Sequence, residues 1–297
     1  MFFIDLIFSI VGVLLRIAFF TLVERKFIGL AHFRKGPNKV LLRGLSQPIR
    51  DAVKLLTKER IKLNEGKPFF LTIGPTLSIR LILICWCWYL FNFSRIRGNI
   101  KVIIIFATIR LVVYGLLLMR WGSNRKYATL GGHRGVAQVI SYEVCLLLFI
   151  LTWVFIRKSY DIVEIALLQQ NIWGALISLP FFTVWITLCI AETNRTPFDM
   201  AEGESEIVSG FNIEYGGGLF ALIFIAEYGS ILFLRFLTTV FFLGRTLILI
   251  KTIIVGFIFI WARCSFPRVR YDTLILISWK TALPYRLFIL ILTSSLF

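Results

Sequence analysis

The sequence predicts an all-α fold, a polytopic membrane bundle of about eight transmembrane helices, and three observations carry that expectation. Hydrophobic residues make up 58% of the 297 and mean hydropathy is +0.83. Charged residues are 16%, against roughly 25% in an average soluble domain, so a core of ordinary size could not hide this much apolar surface. Apolar runs of about 20 residues, the length a helix needs to cross the hydrocarbon core, recur along the chain. None of them alternates in the manner of a membrane barrel. The whole chain, 1–297, reads as a single membrane domain.

The runs lie near 4–23, 69–91, 102–119, 135–156, 172–190, 218–234 (with hydropathy that allows an extension to 243), 246–261 and 282–297. With eight spans, four connections face one side, about 24–68, 120–134, 191–217 and 262–281. These hold 21 of the 33 Lys and Arg, against 8 in the connections opposite. By the positive-inside rule the first side is the matrix or cytoplasmic one, and both termini lie opposite. In the first matrix-side loop, 24–68, Ile49, Ala52, Val53 and Leu56 fall at i, i+3, i+4, i+7 after Pro48, while Arg50, Lys54 and Lys58 recur every four residues. That pattern predicts an amphipathic helix lying in the interface with a basic face.

The charge balance is +17. In a soluble protein it would point to nucleic acid. Here the charge sits between apolar runs, so an anionic lipid face or acidic partner proteins fit, and nucleic acid does not. Met1 runs directly into apolar sequence with no Arg- and Ser-rich leader, which favours an organelle-made or bacterial protein. The five cysteines match neither CxxC nor a zinc pattern, and His32 and His133 stand in separate loops. No metal site, iron–sulfur site or bis-histidine haem site is therefore expected on this chain. No Gly-rich loop follows a strand, so no nucleotide site is expected either.

Seven of the 16 acidic residues lie between 192 and 227: Glu192, Asp199, Glu202, Glu204, Glu206, Glu214 and Glu227. Thr196-Pro197-Phe198-Asp199 reads as a helix start, with Thr as N-cap and Pro in the first turn. In such a helix Asp199, Glu202 and Glu206 would share one face within roughly 60°, and Glu204 would point away. Like charges that close resist joint ionisation, which makes a coupled proton relay or an acidic docking loop the two readings of the segment. Glu143 and Glu227 fall well inside apolar runs, where a carboxylate marks an ion path unless it is structurally paired with an arginine. Glu24 and Glu192, at the ends of the first and fifth runs, would extend such a path toward the basic side.

Taken together these segments resemble a known family, subunit 1 of respiratory NADH:ubiquinone oxidoreductase (complex I) and its bacterial equivalents. The resemblance rests on Glu24-Arg25-Lys26, on Arg34-Lys35-Gly36-Pro37-Asn38, and on Gln47-Pro48 with Asp51-Ala52-Val53-Lys54-Leu55 and Thr57-Lys58-Glu59. It continues through Ser123-Asn124 with Lys126-Tyr127, and through Val136-Ala137-Gln138 with Ile140-Ser141-Tyr142-Glu143. The longest match runs from Glu192-Thr193-Asn194-Arg195-Thr196-Pro197-Phe198-Asp199 through Glu202-Gly203-Glu204-Ser205-Glu206 to Gly210-Phe211-Asn212 and Glu214-Tyr215. Pro267-Arg268, Arg270-Tyr271-Asp272 and Trp279-Lys280 complete it. Arg16, Arg80 and Arg110 depart from it, standing where relatives carry neutral residues.

The resemblance implies a subunit at the junction of a hydrophilic electron-transfer arm and a membrane arm in the mitochondrial inner membrane (or a bacterial plasma membrane). Ubiquinone would be the substrate, with no tightly bound cofactor on this chain. NADH, FMN and iron–sulfur clusters would belong to partner subunits, with other membrane-arm subunits and phospholipid as neighbours. By position, Arg25, Arg34, Asp51, Arg195 and Arg263 would line or border the quinone channel. Glu24, Glu143, Glu192, Glu202 and Glu227, helped by Asp199, Glu206 and Glu214, would form the proton path. No residue of the chain would itself be catalytic, and the loop 191–217 is the expected element that couples quinone chemistry to proton movement. The competing readings are the homologous subunit of an energy-converting hydrogenase and a membrane anchor for the hydrophilic arm.

Overall fold

In lipid every backbone N–H and C=O must be satisfied within the segment, and long apolar runs meet that demand as helices. The computed structural model describes residues 2–40, 42–59, 66–92, 101–169, 172–200, 203, 210–212 and 214–296. The helices in chain order are α1 (Phe2–Ala31), α2 (Gln47–Thr57), α3 (Pro68–Asn92), α4 (Lys101–Ser123), α5 (Lys126–Arg157), α6 (Ile162–Leu167), α7 (Gly174–Ile177) and α8 (Leu179–Glu192). They continue with α9 (Gly217–Thr238), α10 (Ile248–Ser265), α11 (Tyr271–Leu276) and α12 (Leu283–Leu296). A π-helical turn, Thr239–Leu243, prolongs α9, and another, Ile277–Ala282, joins α11 to α12.

Seven helices among the described residues are long and apolar enough to cross a membrane. The fifth expected span is the exception. Ser178 leaves the helical region (φ −142°, ψ 75°), and Pro180 sits in the first turn of the next helix, where its missing N–H costs nothing. The run is therefore split into α7 and α8. Alone, α8 has 14 residues, or roughly 21 Å, and falls short of a core about 30 Å thick. The loop expected at 120–134 is also corrected. α5 begins at Lys126, nine residues before the apolar run, and Asn124 turns the chain with φ 48°.

All four connections of the basic side gather at one end of the bundle. The Lys67 amide donates to Gly122 O at 3.0 Å and the Val269 amide to Pro197 O at 3.0 Å. Arg125 pairs with Glu214 at 3.2 Å, and Tyr215 donates to Met119 O at 3.0 Å. Burial pushes the Tyr215 phenol up from its ordinary pKa, so it remains a donor throughout the physiological range. At the other end Lys101 pairs with Asp161 at 3.1 Å, and Gln169 donates to Phe241 O. The amphipathic helix is α2, at the basic end. Pro48 is buried while Ile49, Val53 and Leu56 face outward.

Helices in lipid gain little from hydrophobic burial against one another and associate through close packing of small residues. α3 and α4 do this through Gly74, Gly115 and Gly122. A Cβ at Gly74 would stand 2.8 Å from the Met119 amide nitrogen, and one at Gly122 would stand 2.6 Å from that of Leu71. Backbone cannot give way there. We expect Gly122→Val to separate this hairpin and to lower the amount of folded protein in the membrane several-fold on a quantitative immunoblot, with Gly218→Ala, where a Cβ meets open space, as the tolerated control.

The middle of the bundle is aromatic. Phe149 stacks on Phe181 with centroids 3.8 Å apart, and Trp153, Trp185 and Phe242 close around them. Trp185 and Phe242 have almost no exposed surface. Arg286, early in α12, is also fully buried, with its guanidinium 5.6 Å from the Phe149 ring.

Candidate functional site

α8 ends deep in the bundle, and the chain beyond it runs as turns through Thr193–Phe198 before continuing without helix to Met200. Here the expected helix start at Thr196 is overturned. The Phe198 carbonyl accepts from Gln138 Nε2 at 2.8 Å, and the Pro197 carbonyl accepts from the Val269 amide. These acceptors serve α5 and the segment before α11, and so do not build a helix of their own. Gln138 is fully buried and also donates to Ala191 O at 2.9 Å, which fastens both ends of the turn to α5. Each carbonyl also accepts a backbone amide, Met200 N–H on Phe198 O and Asn194 N–H on Ala191 O, so removing Gln138 loses two buried hydrogen bonds without orphaning an acceptor. Gln138→Ala should therefore cost about 1–3 kcal/mol, the net worth of two hydrogen bonds, visible as a lowered melting temperature of the purified protein.

Irregular backbone at membrane depth is tolerated only where it is buried in protein or lines a cavity. This segment, at the basic end of the bundle, is both buried in protein and lines cavities. One cavity, about 20 Å³, is lined by Glu24, Arg195, Thr196 and Arg263. A second, about 80 Å³, is lined by Glu192, Asn194, Glu227 and Ser230 among apolar residues. A third, about 10 Å³, is lined by Arg110, Glu143 and Glu192. Glu192 belongs to two of them. Arg195 reaches from the first to Glu227 of the second at 3.5 Å, with its guanidinium 4.6 Å over the Tyr228 ring.

The order of these groups follows depth. Glu24 is tied to Arg263, two residues before the end of α10, and so lies near the basic end. At 1.5 Å per residue Glu227 lies roughly 15 Å along α9 and Glu143 roughly 25 Å along α5. Glu143 Oε1, Glu192 Oε2, Asn194 Oδ1 and Thr196 Oγ1 are buried and hydrogen-bond to no described residue. Buried oxygens without a protein partner are places for water. A water needs about 10–15 Å³ of such space, so the middle cavity has room for several and the other two for about one each.

The residues singled out from sequence thus divide. Glu24, Glu143, Glu192 and Glu227 converge on the linked cavities, together with Arg195 and Arg263. Arg25 pairs with Asp51 at 2.6 Å, one residue from Glu24, and this pair fastens α2 to α1 at the surface. Arg34 is exposed at the turn after α1. Glu214 is taken up by Arg125 at the bundle end, away from the three cavities. Asp199 lies in non-helical chain, while Glu202 and Glu206 fall outside the described residues, as does Glu204. Sequence reasoning did not assign Gln138 or Tyr228 a role. Arg110 carried a signal, as an arginine in the middle of an apolar run, and it faces the innermost carboxyl pair.

This fold and site define a polytopic α-helical membrane protein whose ionisable residues are gathered inside the bundle along a line of small cavities. The chain belongs to the NADH dehydrogenase family, whose model matches residues 4–294. It is 44% identical over 294 residues to NADH-ubiquinone oxidoreductase chain 1 of Aedes aegypti, covering 95% of this chain and 94% of that one. To the proteins of the same name from Trichosurus vulpecula and Paracentrotus lividus it is 43% and 41% identical, covering 97% and 94% of this chain and 94% and 90% of theirs.

Proposed function

We propose that this chain is the mitochondrial membrane subunit of a proton-translocating NADH:ubiquinone oxidoreductase that borders the quinone channel and carries the carboxylate path from it into the membrane arm. The observation that carries the reading is the sharing of Glu192 by two cavities, with Arg195 joining the larger of them to the cavity of Glu24. Family membership over almost the whole chain supplies the quinone, and the electrons come from clusters on a partner subunit.

Reduction of the quinone takes two electrons and two protons, and negative charge builds on the headgroup before the protons arrive. Arg195 and Arg263, at the basic end, would offset that charge. Both guanidiniums hold carboxylates at rest, Glu227 and Glu24. A headgroup that draws Arg195 away leaves Glu227 without counter-charge in a poorly solvated site, the condition under which a carboxylate accepts a proton. Protons taken up at Glu227 pass through Glu192 to Glu143. A cavity of about 20 Å³ holds a water and not a quinone ring, so a partner subunit must complete the wall of the headgroup site beside Arg25, Asp51 and Arg34. The acidic residues Asp199, Glu202, Glu206 and Glu214 would serve as the loop-side reservoir of the path.

The two ion pairs also favour a second reading, in which the acids only hold an anchor together. Glu227→Gln separates the two. On the relay reading the complex assembles at a normal level, while quinone reductase turnover falls about tenfold and fewer protons move per electron. On the anchor reading the assembled amount falls and turnover per complex is unchanged.

A further inference from the structure

A cleft of about 810 Å³ opens between α1, α9 and α10, with walls that are apolar except for Thr252 and two arginines, Arg16 and Arg235, its only charged groups. Arg235 is 8% exposed, its guanidinium carbon lies 3.9 Å over the Phe20 ring, and its Nε is buried and hydrogen-bonds to no described residue. The fit is specific. Gly256 of α10 stands against Arg235 Nη1 so closely that any Cβ there would overlap it. Arg16 lies on the outer face of α1, four residues before Phe20, and is exposed. Among the described residues neither arginine has a carboxylate at ion-pair distance. The nearest acid, Glu24, is felt by Arg235 from beyond ion-pair distance, but its carboxylate is held by a third arginine, Arg263.

One carboxylate already paired with Arg263 does not balance two further guanidiniums, and excess positive charge in an apolar cleft is costly, so the cleft calls for another anion. Depth decides which anion. Gly256 is eight residues from one end of α10 and nine from the other, so the Arg235 guanidinium lies roughly 12–14 Å from both. Phospholipid phosphates stay outside a hydrocarbon core about 30 Å thick, and free anions do not enter it. A carboxylate carried by a membrane-spanning helix does reach that depth, and polar groups on such helices pair with one another.

We propose that the cleft receives a transmembrane helix of a neighbouring subunit whose Asp or Glu, near mid-depth, pairs with Arg235 and Arg16. This rests on the reading of the chain as one subunit of a larger membrane assembly. It does not rest on the proton path. A map of the intact purified complex tests it directly. The expected result is a helix of another chain in the cleft with a carboxylate oxygen within about 4 Å of either guanidinium. Acyl-chain density in the cleft, or a helix without an acid at that level, overturns it. Arg16→Ala, at the exposed mouth, gives the second reading. The neighbouring subunit should leave the complex about tenfold faster in mild detergent, and unchanged retention overturns the pairing. A complex that retains the neighbour in the cleft but lacks quinone reductase activity would count against the proposed function alone.

Discussion

Substituting Glu192 by Gln is expected to slow coupled quinone reduction by about 100-fold, the low end of what a positioned proton carrier contributes. This carboxyl lines both the Glu227 cavity and the Glu143 cavity, so in the proposed path the two acids communicate through it. On the proposed path, loss at the shared position would interrupt the whole line, whereas Glu227→Gln leaves Arg195 and the Glu24 cavity in place and should cost less. Gln keeps the size and the hydrogen-bonding outline, so assembly should be normal. The measurement is NADH-driven quinone reductase activity per assembled complex, read beside acidification of the medium. Activity within a factor of two of the parent would remove Glu192 from the path. Glu192→Asp, which keeps the carboxyl but shortens it by one methylene, should recover part of the rate.

The second large effect is on stability. Phe242→Ala is expected to destabilise the bundle by about 3 kcal/mol, seen as earlier thermal loss of the complex in detergent. Phe242 has no exposed surface and meets Phe149, Trp153, Phe182 and Trp185 at centroid distances of 4.9–5.9 Å. Truncating a buried Phe costs about 3–5 kcal/mol in soluble cores, from lost transfer energy and from the void left behind. In lipid the transfer part is small because acyl chains are as apolar as the protein interior. The void part persists, since close packing is what holds these helices together, and the low end of the range applies. Phe242→Leu, which fills more of the space, should recover most of it.

Much of the architecture is legible in the sequence, for physical reasons that differ by element. Span length and loop charge are set by the bilayer itself, so α1, α3, α4, α9 and α10 can be placed by counting apolar residues and basic flanks. The amphipathic α2 is visible in the spacing of Ile49, Val53 and Leu56. The split of the fifth run is not, although Pro180 stands in plain view, because a proline near a helix start and one inside a helix look alike until the boundary is known. The turn after Glu192 misleads for a related reason. Thr196-Pro197 has the local chemistry of a helix start, and it is overruled by distant groups, the Gln138 side chain and the Val269 amide, that take the Phe198 and Pro197 carbonyls. Of the candidate site, the depth of Glu143 and Glu227 is readable because carboxylates in apolar runs stand out. That Glu192 is the point they share, and that Arg195 faces Glu227, depends on how α5, α8 and α9 pack, which no local pattern encodes.

The π-helical turn Ile277–Ala282 has a consequence for everything downstream of it. A π turn is an α-helix with one residue inserted, and each inserted residue rotates the remainder of the helix by about 100°. The last helix therefore meets α5 out of angular phase with the segment that precedes it, and that offset is what aims Arg286 at Phe149 and away from the surrounding lipid. Deleting a single residue between 277 and 282 would restore ordinary helical winding and swing this cation outward, so the length of this stretch carries information that its composition does not.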